Sequence, residues 1–106
     1  MKTDPIRGEV WLADLGMAEK IRPVLVVSAD LAPDDFALVM IIPRTTSTHP
    51  SRFSVPMNLP GMKEGSFNLQ GMLSLPLSKF MRRLTVLRSD QMQQINEALK
   101  KWLCLE

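Results

Sequence analysis

Histidine and cysteine occur once each in this 106-residue chain, as His49 and Cys104. A lone cysteine forbids an intrachain disulfide, and it is compatible with the reducing cytosol, where the protein is expected to reside. One Cys and one His cannot make a closed zinc site, and any Ser-His-Asp triad would have to rest on His49. No metal and no cofactor is therefore expected. Tyrosine is absent and the aromatics are four Phe and two Trp, which is poor material for a binding module with an aromatic face. The apolar run through Ala37–Ile42 falls far short of the roughly 18 residues of a membrane span. The opening MKTDPIRGEV has no apolar core and is expected not to act as a secretory signal. There is no internal repeat and no low-complexity segment.

What is present is the composition of one folded domain, expected to span residues 1–106: 45% hydrophobic and 23% charged residues. The net charge of +2 hides an asymmetry. Residues 1–50 carry five basic and seven acidic side chains, and residues 51–106 carry eight and four. Between Arg44 and Arg83 the basic residues Arg52, Lys63, Lys79 and Arg82 face a single acid, Glu64. Such a stretch attracts a phosphate backbone, or is a solvated face spread over several strands.

The apolar pattern predicts short strands followed by one helix. Gly8–Leu15 alternates and Pro23–Ser28 is apolar throughout, so both read as strands. Ala37–Ile42 reads as a third strand, stopped by Pro43. Phe53–Met57 reads as an edge strand, Phe67–Leu75 as a weak fifth strand interrupted at Gly71, and Leu84–Leu87 as a short last strand. Pro76–Lys79 reads as a turn. Ser89 is the expected N-cap of a helix of roughly 14 residues, with Met92, Ile95, Leu99 and Trp102 on one face. This order predicts a mainly β (α+β) fold, a small antiparallel barrel or twisted sheet covered by the C-terminal helix.

Three features carry chemistry. Arg22 precedes Pro23 at the entry to an apolar strand, so its backbone is held extended and its guanidinium is a preset fork for phosphate. The alternative is a rim arginine paired with Asp14 or Glu19. The segment Pro43-Arg44-Thr45-Thr46-Ser47-Thr48 places hydroxyl donors beside an arginine at a strand end. Those groups hold phosphate oxygens, or they cap backbone groups of a loop. His49 is a possible proton carrier, or simply an exposed histidine.

The order Gly8-Glu9-Val10-Trp11, Arg22-Pro23-Val24, Pro43-Arg44-Thr45 resembles the MazF/PemK/Kid family of toxin ribonucleases. The match in order and spacing covers roughly the first 57 residues, and the closing helix agrees. The resemblance implies an SH3-like barrel of the CcdB/PemK type that forms homodimers. It implies metal-independent cleavage of single-stranded RNA through a 2′,3′-cyclic phosphate, neutralised by a cognate antitoxin. It assigns catalysis to Arg22 and Thr45, with Lys20, Arg44, Thr46, Arg52, Arg82 and Arg83 as candidate RNA contacts. Two departures stand out. The loop after the first strand is reduced to Ala18-Glu19-Lys20, and Leu73-Ser74-Leu75-Pro76-Leu77 is apolar where relatives carry an acidic–basic run. Met72, Leu73, Leu75 and the strand ending at Ile42 are the expected dimer surface. Alternatives on the same fold are a CcdB-like toxin that poisons DNA gyrase without catalysis, or a catalytically weakened SH3-like binding module.

Overall fold

The computed structural model describes residues 3–16, 18, 20–46 and 51–105. Seven strands run in the order β1 (Glu9–Asp14), β2 (Ile21–Val26), β3 (Leu38–Thr45), β4 (Ser54–Pro56), β5 (Ser66–Asn68), β6 (Leu73–Pro76) and β7 (Phe80–Val86), followed by the helix α1 (Ser89–Leu103). All ladders are antiparallel, and the sheet is ordered β4-β5-β3-β2-β1-β7 with β6 also paired to β3. Among the described residues no ladder joins β7 to β4 or β6, so the barrel-like sheet stays open along that seam.

β3 organises the sheet. One edge pairs with β2, and the other pairs first with β6 (Leu38–Ile41) and then with β5 (Arg44–Thr45). Pro43 therefore does not stop the strand, as the sequence predicts. It sits at the handover between β6 and β5, where that edge has no ladder pair and the missing N–H costs nothing there. The predicted fifth strand is in fact two, β5 and β6, separated by a 3₁₀ turn over Leu69–Gly71. The last strand begins four residues earlier than its apolar run implies. Phe80 is fully buried and anchors its start, while Arg82 and Arg83 lie within it.

The helix also begins one residue earlier than expected, at Ser89 itself. Arg88 is the N-cap, and its backbone N–H donates to Gln91 Oε1 at 2.9 Å; Ser89 is the first helical residue. At the other end Cys104 takes a left-handed conformation, φ 56°, and its N–H donates to Lys101 O.

Strand alternation makes two cores. On one face Val10, Leu25, Ile42, Phe67 and Leu69 pack with Ile95 of α1, flanked by Met92, Ala98, Leu99 and Trp102. On the other face Trp11, Ala13, Val24, Val26, Val39, Ile41, Leu75 and Phe80 pack together. Ile42 and Leu75, expected at a dimer surface, are thus inside the molecule. Met72 packs against the first core, while Leu73 and, at the start of β3, Leu38 are exposed. No helix among the described residues is long and apolar enough to cross a membrane.

Candidate active site: a basic cleft beyond the helix

The helix covers only one end of its face of the sheet. Moving one same-face residue along β1, β2 and β3 leads from Val10, Leu25 and Ile42, under α1, to Leu12, Pro23 and Arg44. These, with Leu84 of β7, line a cleft of about 530 Å³. Its other residues are Arg22, Thr46 and Arg82, and the segment Pro60–Lys63 that follows β4. Among the described residues four basic side chains and no acidic one line it, so these concentrate positive potential over an apolar floor.

Each cation is held differently. Arg22 enters β2 opposite Ala13 of β1, after a turn in which Gly16 (φ 77°) and Lys20 (φ 50°) are left-handed and Lys20 N–H donates to Gly16 O. Arg22 Nη1 donates to Arg44 O at 3.4 Å. The β2–β3 register ends at Val24↔Pro43; carried two residues further, it sets Arg22 opposite Thr45. Arg82 sits opposite Leu12 across the β1–β7 ladder.

Arg44 is the unexpected one. It is only 4% exposed. Its Nη2 donates to Met57 O at 2.6 Å and to Lys63 O at 3.1 Å, and its guanidinium lies 5.2 Å from the Phe67 ring centroid. Desolvation lowers its pKa from the usual arginine value. Nη1 is buried without a hydrogen-bond partner among the described residues. Arg44 therefore clasps the 57–63 segment that forms one wall of the cleft. The wall comes close to β3: a Cβ on Gly65 would lie 2.6 Å from Thr45 O and 3.4 Å from the Arg44 guanidinium carbon. Only glycine fits there.

A family model for the PemK-like, MazF-like toxins of type II toxin–antitoxin systems matches residues 6–103. The chain belongs to that family. The match runs well beyond the first 57 residues and to the end of α1, so the second half is as much a part of the toxin fold as the first. An endoribonuclease from a mycobacterial species, solved with its cognate antitoxin, superposes with a TM-score of 0.81 at 27% identity, over 96% of this chain and 97% of that one. A second mycobacterial endoribonuclease gives 0.78 at 25% identity, over 97% and 94%. MazF from a Deinococcus radiodurans MazE–MazF complex gives 0.79 at 19% identity, over 98% and 100%, a likeness of fold. No curated protein sequence matches the chain.

Set against this toxin fold, the residues nominated from the sequence separate. Arg22, Arg44, Thr46 and Arg82 meet in the cleft. Thr45 lies one residue before Thr46 on β3 but is not among the lining residues. Arg83 points to the opposite face. There its Nη1 donates to Glu9 Oε2 at 3.2 Å, and Glu9 Oε1 also accepts from Ile6 N–H and Trp11 Nε1–H. Burial alone would raise the Glu9 pKa; the three hydrogen bonds and the Arg83 charge outweigh it and leave it below the usual value. Arg52 stacks on Phe53 at 4.5 Å, and Phe53 in turn contacts Trp102, so it belongs to the helix side. Lys20 is exposed on its turn and does not line the cleft. Within one chain, alternation and the helix thus separate Arg52 and Arg83 from Arg44 and Arg82. His49 lies outside the described residues. Lys63 and the wall Pro60–Met62 escaped the sequence reading; the only signal was the position of Lys63 in the basic stretch.

Proposed function

We propose that this toxin is an endoribonuclease that cleaves single-stranded RNA without a metal ion, acts as a homodimer in the cytoplasm, and is held inactive by a cognate antitoxin. One observation carries the reading: a cleft with four basic side chains and, among the described residues, no acidic one, in a chain of the MazF/PemK family. Apolar Leu12, Pro23 and Leu84 form its floor, a surface suited to a sugar or base face, while the cations hold phosphates.

RNA carries its own nucleophile. The 2′-oxygen attacks the adjacent phosphorus in line and loses its proton. The bond from phosphorus to the 5′-oxygen breaks, and that oxygen takes up a proton. The products are a 2′,3′-cyclic phosphate and a 5′-hydroxyl. Arg22 supplies a fixed, bidentate cation for the charge that builds on the nonbridging oxygens, and the hydroxyls of Thr45 and Thr46 supply neutral donors. A guanidinium is a donor without an acceptor, so Arg22 is given the role of stabilising charge and not that of the base.

The antitoxin reading follows from the same charge. An acidic segment that orders in the cleft competes directly with RNA, at an ordering cost of about 2–5 kcal/mol. Self-association is supported by apolar side chains left outside, among them Phe36, Leu38 and Leu73 around the β3–β6 ladder, and it is read by sedimentation equilibrium as twice the chain mass. The test of the enzyme is incubation with a long single-stranded RNA in EDTA, followed by mapping of the ends. Cleavage giving cyclic phosphate and 5′-hydroxyl ends, with DNA left intact, is expected. Activity lost in EDTA and restored by magnesium would overturn the metal-free mechanism.

A further inference from the structure

Thr46 borders two clefts. On its other side a second one, of about 440 Å³, is lined by Pro56, Met57, Asn58, Glu64 and Ser66. Its character is opposite to that of the first. Among the described residues it contains no cation, and it contains Glu64, the single acid between Arg44 and Arg83. Neither the Glu64 carboxylate nor the Asn58 amide makes a hydrogen bond with another described residue, so neither group is spent on the fold.

A carboxylate at the end of a phosphate-binding groove repels the backbone of a polyanion. An RNA strand that continues past Thr46 must therefore turn a base, not a phosphate, toward Glu64. Unpaired bases are read on their exposed edges. A carboxylate only accepts hydrogen bonds, and its partner is an exocyclic amine such as cytosine N4. Adenine and guanine also carry one. Uracil instead sets a carbonyl on each side of its single ring N–H, so its edge confronts the carboxylate with acceptors.

Resting on the ribonuclease reading, we propose that this second cleft selects the base beside the cleaved phosphate, with Glu64 as its reader, admitting amino-bearing bases and rejecting uracil. Asn58, with a donor and an acceptor on one amide, supports the same edge. Gln at position 64 keeps the size but gains a donor that suits a uracil carbonyl.

The experiment cleaves a randomised oligoribonucleotide pool with wild type, Glu64→Gln and Asn58→Ala, and sequences the ends. In the wild type one position beside the cut should show uracil depleted about tenfold. Glu64→Gln should abolish that depletion while Tm and the pattern at all other positions stay unchanged. Identical base preferences in wild type and Glu64→Gln would overturn the inference and leave the ribonuclease reading standing. A wild type that cuts nothing overturns the ribonuclease reading instead. In that event fluorescence anisotropy with 2′-O-methyl oligonucleotides differing at one base decides the inference. Weaker binding of the uracil form by wild type, but not by Glu64→Gln, upholds base selection, and equal binding of all bases refutes it.

Discussion

Replacing Arg44 tests whether a buried cation can be a structural asset. Two hydrogen bonds from its charged Nη2 reach Met57 O and Lys63 O, and bonds of this kind contribute about 1.5–3 kcal/mol each. Against them stands the cost of removing the guanidinium from water, several kcal/mol per ion after relaxation. Because desolvation lowers the Arg44 pKa, the burial cost applies at every pH below the folded-state value and fades only above it. Arg44→Ala loses both bonds and the packing against Phe67, and it leaves the buried Met57 carbonyl unpaired. A loss of about 3–4 kcal/mol is expected. For a domain of this size that lowers Tm by about 15 °C or more. Arg44→Met keeps most of the stem and sheds the desolvation cost, so a smaller loss of about 1–2 kcal/mol is expected. Urea unfolding followed by tryptophan fluorescence measures both. An Ala variant within about 1 kcal/mol of wild type, or a Met variant more stable than wild type, would refute the clasp as a net stabiliser.

Arg22→Ala should reduce single-turnover RNA cleavage by about 10²–10³-fold with the fold intact by circular dichroism; Arg22→Lys should recover little, since a point charge cannot replace the fork. Gly65→Ala should destabilise by about 1–3 kcal/mol, because the new Cβ meets the Thr45 carbonyl; an unchanged Tm would show that β5 can move away freely. Glu9 has a folded pKa below its ordinary 4.5, so its contribution to stability is complete above that pH and is lost as pH falls through the folded value. Glu9→Gln should therefore lose less stability than wild type between pH 7 and pH 3, measured as urea midpoints.

Much of this architecture is legible locally. β1 and β2 announce themselves by alternation and by a β-branched run, and α1 by its stripe ending at Trp102. The place of Arg22 at a strand entry is legible because a proline and an apolar strand follow it. What eluded the sequence depends on distant partners. Pro43 is tolerated because β6 and β5 exchange places beside it, and no local pattern reports that. Arg44 looks like a surface cation until the 57–63 segment, thirteen or more residues away, folds over it. Arg52 and Arg83 share the basic stretch with Arg82, but packing against Phe53 and the pairing with Glu9 draw them elsewhere.

The adjacent pair Arg82–Arg83 has one further consequence. On β7 one arginine faces the cleft and its neighbour faces Glu9. The two side chains are chemically the same, so electrostatics alone is blind to a slip of β7 by one place: each would simply assume the duty of the other. The discrimination comes from shape. The β1–β7 ladder shifts between Val10 and Trp11 and again between Leu12 and Ala13, and Phe80 is wedged edge-on against Trp11 with ring centroids 5.9 Å apart. A misthreaded β7 would keep every charge satisfied yet expose Phe80 and bury a neighbour that does not fit. An aromatic ring on the far face of the sheet thereby decides which of two identical cations lines the cleft.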